Sequence, residues 1–136
     1  MKLLIDNNVV IDVFQDREPF SEKSAEILEM IEFGYHEGYI TANSITDIYY
    51  ILKRSIRDRG KVYDYLKILL KIVKIVDIRA DDIYRALEIE SKDFEDELII
   101  VCGKKENIDY IITRNIKDFN ESSIKAVEPE EFIRML

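Results

Sequence analysis

The sequence predicts an α/β fold: a three-layer α/β/α sandwich whose central sheet is mostly parallel and has four to five strands. Short β-prone segments alternate with longer segments of helical periodicity along the whole chain. The first β-prone segment, Leu3, Leu4 and Ile5, is continuously apolar, as expected of a strand covered on both faces. Strands that alternate with helices join through right-handed crossovers into a parallel sheet with helices on both faces.

Five β-prone segments are predicted as strands. Most of them are bounded by glycine or by turn residues, and they consist mainly of aliphatic and β-branched residues. The predicted strands are residues 3–5, 38–42, 73–78, 108–112 and 124–127, the last at an edge of the sheet.

The segments between these strands carry apolar residues at helical spacing. A first helix is predicted directly after Asp6, and a second over residues 19–34. Ser44 and Asp47 match a capping box at the start of the next predicted helix, residues 44–56. Further helices are predicted near residues 62–73, 80–91, 93–104 and 130–135.

Length and composition predict a single domain spanning residues 1–136, with 47% hydrophobic residues available for a core. The formal net charge is −8, because 28 acidic residues outnumber 20 basic ones. A polyanionic ligand would therefore need a local basic patch or a bridging cation. A single cysteine, Cys102, excludes an internal disulfide, and no uncharged apolar stretch approaches the roughly 20 residues of a membrane span. We therefore expect a cytoplasmic protein that does not enter the membrane.

Four aspartates are predicted to follow strands or to begin helices on this scaffold. Asp6 follows the first strand, Asp47 and Asp96 lie in the first turns of helices, and Asp118 lies in the loop after the fourth strand. Helix capping or a turn explains each of them separately, so the structural and the functional interpretation both stay open for any one residue.

Taken together, these aspartates favour a metal site. The carboxyl ends of parallel strands and the starts of the following helices meet at one edge of the sheet, where the carboxylates would repel one another. A hard divalent cation removes that repulsion. The chain has one histidine, His36, and no thiolate cluster, so the available ligands are oxygens, which favours Mg²⁺ or Mn²⁺ over Zn²⁺.

Four stretches of the sequence resemble the PIN-domain nucleases, and the resemblance extends over almost the whole chain. They are residues 4–13, 42–50, 93–98 and 110–119. The last stretch is the most specific. The resemblance implies a metal-dependent ribonuclease that hydrolyses phosphodiester bonds at an acidic cluster.

The resemblance also implies a role for each matching residue. The implied catalytic residues are Asp6, Asp47, Asp96 and Asp118, and the implied metal ligands among them are Asp6, Asp96 and Asp118. The implied supporting residues are Asp93, Thr113 and Asn115. Two positions depart from the family pattern: Asn7 replaces the usual threonine, and Asp47 stands where many members carry the longer glutamate.

The resemblance implies partners as well. Single PIN domains of this length are similar to VapC-like toxins of toxin–antitoxin pairs, which implies an RNA substrate, a small antitoxin protein and a homodimer. Arg114 and Lys117 flank the last aspartate and are predicted to bind RNA phosphates. Residues 53–61 are also locally basic, but an ordinary solvated helix end explains Arg57 and Arg59 better.

A surplus of aromatic residues independently predicts self-association. Tyrosine and phenylalanine are favoured at interfaces, and one small core would not absorb all of them. The residues concerned are Phe14, Phe33, Tyr35, Tyr39, Tyr49, Tyr50 and Tyr63.

Other functional classes fit the sequence less well. A phosphatase of the haloacid dehalogenase type would need a second aspartate at position 8, where Asn8 stands. A phosphorylation receiver would need paired acidic residues before the first helix. The remaining alternative is a catalytically weak or inactive PIN-like module that binds RNA or protein, although the acidic cluster is complete in this sequence.

Overall fold

The computed structural model describes all residues from 1 to 136 and contains five strands, seven α-helices and one 3₁₀ helix. The strands are β1 (Lys2–Ile5), β2 (Glu37–Thr41), β3 (Lys74–Val76), β4 (Tyr110–Ile112) and β5 (Lys125–Val127). The α-helices are α1 (Asn7–Phe14), α2 (Ser21–Glu32), α3 (Ala42–Ile56), α4 (Arg59–Ile72), α5 (Ala80–Ile89), α6 (Phe94–Lys105) and α7 (Pro129–Arg134). The 3₁₀ helix is Ile116–Phe119.

The five strands form one sheet in the order β3-β2-β1-β4-β5, and every pair is parallel. β1 is the central strand and pairs with β2 on one side and β4 on the other. The backbone N–H of Asp6 extends the ladder by donating to the Ile112 carbonyl at 3.0 Å. The predicted α/β class is therefore confirmed, and Asp6 lies at the carboxyl end of the central strand.

Helices cover both faces of the sheet, as the apolar sequence of β1 predicts. Leu3 and Ile5 belong to the core beneath α1–α4 and α7, whereas Leu4 points to the opposite core beneath α5 and α6. Leu3, Leu4 and Ile5 are 0%, 1% and 2% exposed, respectively. Full burial of such a side chain is worth about 1.5–3 kcal/mol, so β1 anchors both layers and fixes the position of the residues that follow it.

Several predicted boundaries were wrong by a few residues. The third and fourth predicted strands shorten to β3 and β4, because only three residues of each pair with a neighbouring strand. Helix α3 begins directly after β2, at Ala42, with Thr41 in the N-cap position, so the predicted capping box of Ser44 and Asp47 was also wrong. Asp47 consequently lies in the second turn of α3, where capping does not explain it.

The segment after β4 is more ordered than predicted. Asp118 was expected in an open loop, but it lies within the 3₁₀ helix, and its N–H donates to the Asn115 carbonyl at 3.0 Å. The buried Phe119 anchors this helix in the core next to α6. Packing therefore holds Asp118 in a defined position beside the sheet edge.

The remaining expectations concern the surface and Cys102. Cys102 is fully buried, and this burial raises the pKa of its thiol to about 11, in keeping with a small core residue. None of the helices combines the length and apolar character needed to cross a bilayer. Of the seven aromatic residues considered, Phe33, Tyr35, Tyr50 and Tyr63 are exposed, whereas Tyr39 is buried and Phe14 and Tyr49 are half-buried.

Candidate active site

Asp6 joins the central strand to helix α1. It occupies the N-cap position with an extended backbone, and its Oδ1 accepts a hydrogen bond from the Asn7 N–H at 2.8 Å. Its Oδ2 accepts from the Thr113 hydroxyl at 2.7 Å and from the Asn8 side-chain amide at 3.3 Å. Burial raises the pKa of Asp6, and the hydrogen bonds from Thr113 and Asn7 partly offset that rise. Asp6 therefore caps helix α1 with one carboxylate oxygen and contacts the segment after β4 with the other.

Thr113 connects Asp6 to the segment after β4. Its side chain is fully buried, and its hydroxyl oxygen accepts from the Asn115 N–H at 2.9 Å while the hydroxyl donates to Asp6. The structure therefore places Thr113 in direct contact with Asp6, and Asn115 one hydrogen bond further away.

Helix α6 brings a second group of carboxylates to the same edge. Asp93 is the N-cap of α6, and its side chain accepts from the Asp96 N–H at 3.0 Å. Burial raises the pKa of Asp96 to about 7, with further contributions from Asp93, Asp118, Asp6 and Glu95. Asp93 and Asp96 at the start of α6 line the same open pocket as Asp118, which follows β4.

Glu95 and Asp47 form a second pair of carboxyl groups at this edge. The pKa of Glu95 is raised, first by a hydrogen bond with the Asp47 carboxyl and then by burial. Asp93 and Asp6 add to the rise. The protonated form of Glu95 is therefore favoured by its neighbouring carboxylates and by burial. Sequence reasoning missed Glu95, although its position in the first turn of α6 was a usable signal.

An open pocket of about 270 Å³ borders the α6 carboxylates. Its lining includes Asp93, Asp96 and Asp118, with Lys92 and Lys117 as the basic residues. No three acidic, histidine or cysteine side chains stand close enough to form a preassembled metal cage. Mg²⁺ usually keeps several waters and binds through one or two carboxylates, so an open acidic pocket suits it better than a closed cage would.

The donor set fits a hard cation. Every candidate ligand is a carboxylate, and their mutual repulsion is what bound positive charge relieves. Two further acceptors at the same edge, Asn7 Oδ1 and Asn43 Oδ1, are buried without a hydrogen-bond partner. Asn7 follows β1 and Asn43 follows β2, so unsatisfied oxygens accumulate where the strands end.

The two residues predicted to bind RNA differ in their surroundings. Lys117 is exposed and lines the acidic pocket. The Arg114 guanidinium is paired with the buried Asp12 through two nitrogens, one of them at 3.0 Å, and lies 4.0 Å above the Phe20 ring. Two nitrogens of the Arg114 guanidinium are therefore directed into the protein.

A parallel five-stranded sheet with carboxylates gathered at its carboxyl edge defines an α/β protein with an acidic candidate site. The sequence profile of the PIN domain matches residues 2–117, so the chain belongs to the PIN-domain family, as its motifs predict.

Comparison with individual proteins places the chain within that family. It is 27% identical to Ribonuclease VapC1 of Aquifex aeolicus over 136 residues, covering 96% of this chain and 92% of that protein.

Solved structures share the fold. VapBC2 from Rickettsia felis, bound to a DNA fragment from its promoter, superposes with a TM-score of 0.73 at 18% identity, covering 94% of this chain and 98% of that one. VapC20 of Mycobacterium tuberculosis, a sarcin-ricin loop cleaving toxin, superposes with a TM-score of 0.71 at 13% identity, covering 93% and 99% of the two chains.

Proposed function

We propose that this protein is a divalent-cation-dependent endoribonuclease, folded as one domain over residues 1–136, and that it is the toxin of a toxin–antitoxin pair. The observation that carries the proposal is that carboxylates from three segments meet at one edge of the sheet: Asp6 follows β1 and accepts from Thr113 at 2.7 Å, and Asp93, Asp96 and Asp118 line one open pocket. Carboxylates outnumber the lysines around this pocket, so the excess of like charge at this edge favours a bound cation.

Three carboxylates, Asp6, Asp96 and Asp118, are proposed to hold Mg²⁺ or Mn²⁺. When bound, such an ion supplies positive charge at a phosphate oxygen and lowers the pKa of a coordinated water. Thr113 fixes the orientation of Asp6, and Asp93 fixes the first turn that carries Asp96.

Glu95 and Asp47 are proposed to take part in proton transfer during phosphodiester hydrolysis. Because the pKa of Glu95 is raised, Glu95 is proposed to donate a proton to the departing oxygen or to accept one from an attacking water, with Asp47 beside it. Asp47 is thus catalytic in the proposal, and its lack of a capping role in α3 supports this assignment.

RNA is proposed to approach across the acidic pocket. Lys117 contributes exposed positive charge beside Asp118, and Asn115 supports the turn between them and Thr113. An overall charge of −8 gives little long-range attraction for RNA, so binding depends on the bridging cation and on this local lysine.

Relatives support the assignment to a toxin–antitoxin pair. The similar curated protein is a ribonuclease, and the similar solved structures include VapBC2 from Rickettsia felis and a toxin–antitoxin complex from Klebsiella pneumoniae. By extension we propose an antitoxin partner, a cytoplasmic location and a homodimer, the last supported by the exposed Phe33, Tyr35, Tyr50 and Tyr63. Sedimentation that shows only monomer at tens of micromolar would contradict the homodimer.

Cleavage of a defined RNA by the purified protein tests the proposal. Activity should be absent in chelator, appear with Mg²⁺ or Mn²⁺, and fall at least about 100-fold in Asp6→Asn. Asp109→Asn is the matched control, because Asp109 also accepts a backbone N–H, at 2.7 Å from Lys2, but precedes β4 at the opposite edge.

The alternative is an inactive module that binds RNA or protein, for which we expect no cleavage. It is favoured by the absence of a preassembled cage. RNA binding without cleavage under all metal conditions, unchanged in Asp6→Asn, would establish it and overturn the nuclease proposal.

A further inference from the structure

Arg114 is tied into the protein by a buried ion pair. Asp12 is fully buried, and both of its carboxylate oxygens accept from Arg114. The Arg17 guanidinium lies 3.9 Å from the same Asp12 carboxylate. The Phe20 ring, 4.0 Å away, covers the guanidinium of Arg114. A planar guanidinium held by two hydrogen bonds and an aromatic ring has little freedom left to follow a substrate.

The backbone of Arg114 is held by the same helix that holds its side chain. Its N–H donates to Asn8 Oδ1 at 3.2 Å, and the Asn8 amide donates to Asp6 Oδ2 and to the Thr113 hydroxyl, each at 3.3 Å. Asn8 and Asp12 are one helical turn apart on α1. Helix α1 thus contacts Arg114 at two points, through Asn8 and through Asp12. Asn8 also contacts both Thr113 and Asp6.

We propose that Arg114 is a positioning residue for the reaction, which acts through Asp12 and Thr113 to hold the Asp6 carboxylate in register with the α6 carboxylates. This inference rests on the proposed nuclease function and deepens it. It replaces direct phosphate binding, the role predicted for Arg114 from sequence.

The inference explains why a buried charge pair lies next to an acidic site. Asp6 would swing about its side-chain bonds if only the Asn7 N–H held it, since that contact reaches Oδ1 alone. The Thr113 hydroxyl and Asn8 amide restrain the other oxygen. Partners that orient a metal-binding carboxylate typically change metal affinity or activity by about 10–100-fold when they are removed.

Lysine at position 114 separates the two roles. Arg114→Lys keeps the positive charge but loses the two-pronged contact with Asp12. For a positioning residue, we expect kcat and the affinity for Mn²⁺, measured by calorimetry without RNA, each to fall about tenfold, with KM nearly unchanged. For a phosphate ligand, KM and salt dependence would change instead, and Mn²⁺ affinity would stay at the wild-type value.

Two further variants show what the loss of an exposed cation and an ordinary arginine-to-lysine change each do. Lys117→Gln removes the exposed neighbouring cation, so it should raise KM and flatten the salt dependence while Mn²⁺ affinity without RNA is retained. Arg134→Lys is the matched arginine-to-lysine control, because Arg134 pairs with Glu130 on the exposed face of α7 and should behave as wild type.

A double-mutant cycle tests whether Arg114 acts through Asp12. If it does, Asp12→Asn combined with Arg114→Gln should lose no more Mn²⁺ affinity than the worse single variant. Additive losses would overturn the inference. Phe20→Leu offers a milder disturbance of the same guanidinium if the buried variants fail to fold, and it should lower Mn²⁺ affinity in the same direction.

Failure of the inference is distinguishable from failure of the proposed function. An active enzyme in which Arg114→Lys alters only KM sinks the positioning role and leaves the nuclease standing. A wild-type protein that binds Mn²⁺ but cleaves no RNA sinks the nuclease, and with it the inference. Wild-type Mn²⁺ affinity in Arg114→Lys and in Phe20→Leu overturns the positioning role whatever the substrate is.

Discussion

Two aspartates at the starts of neighbouring helices, Asp82 in α5 and Asp96 in α6, have opposite surroundings. The Lys105 ammonium donates to Asp82 at 2.7 Å and holds the pKa of that carboxyl below its usual value. Burial and neighbouring carboxylates raise the pKa of Asp96 to about 7, and Lys92 and Lys117 line the same pocket without forming an ion pair with it. The same layer of helices thus pairs Asp82 with a lysine and leaves Asp96 without an ion pair. This difference agrees with the proposed cation site at Asp96.

Removing the counter-charge of Asp82 should have the largest effect on stability. Lys105→Met leaves the buried Asp82 carboxylate without its lysine partner, and we expect the free energy of unfolding to fall by about 2–4 kcal/mol at neutral pH. Urea denaturation measures this. Added Mg²⁺ should not restore the loss, because the pair lies outside the proposed cation site.

Asp96→Asn should do the opposite and stabilise the protein in chelator. Asparagine keeps the shape but removes one of the repelling charges, so we expect a gain of about 0.5–2 kcal/mol, after allowance for the partial exposure of Asp96. Millimolar Mg²⁺ should stabilise the wild type by mass action and the variant much less, so the gap shrinks or reverses. Thermal melts that show a less stable variant with the wild-type Mg²⁺ response would refute the role of Asp96.

The stability advantage of Asp96→Asn over the wild type should depend on pH. A carboxyl whose pKa is about 7 when folded, against 3.8 unfolded, retains a proton in the native state that the unfolded chain has released. The contribution of Asp96 to the free energy of unfolding therefore falls as the pH rises from about 4 to about 7. Above that range the loss of stability is complete. In chelator, the difference in unfolding free energy between Asp96→Asn and the wild type should grow over this interval. A constant difference from pH 4 to pH 8 would contradict the raised pKa.

Asp93→Asn should have the smallest effect of the four. Asparagine caps helices about as well as aspartate, so the bond to the Asp96 N–H survives and the free energy of unfolding should change by less than about 0.5 kcal/mol. Cleavage activity should also stay within a few-fold of wild type. A loss comparable to that of Asp6→Asn would make Asp93 a direct participant.

The sequence predicted the parts of the site that depend on local order along the chain. The apolar run of β1, the break at Asp6 and the start of a helix near residue 93 are each read from a few consecutive residues. The position of Asp118 relative to Asp6 follows from strand order in a parallel sheet. These features were available because short segments and simple topology determine them.

The contacts that the sequence did not predict join distant segments through packing. Whether Glu95 or its neighbour Asp96 meets Asp47 depends on the rotation of α6 against α3, which hydrophobic periodicity does not determine to within one residue. Arg114 and Asp12 are 102 residues apart, and each resembles an ordinary surface charge in the sequence. Helix α3 was misassigned because Thr41 and Ser44 are both acceptable cap residues, and the end of β2 decided between them.

The sheet order also predicts which part of the candidate site opens first when the domain fluctuates. β1 has a hydrogen-bonded neighbour on each side, whereas β5 has only β4. Edge elements open at a lower free-energy cost than the centre of a domain. Fraying of β5 releases the Thr113 N–H from Val127 and loosens the adjoining 3₁₀ helix with Asp118, while Asp6 stays on a closed strand. If β5 frays in this way, the part of the pocket lined by Lys117 and Asp118 should loosen before Asp6 does, so hydrogen exchange should be faster at Asp118 than at Asp6.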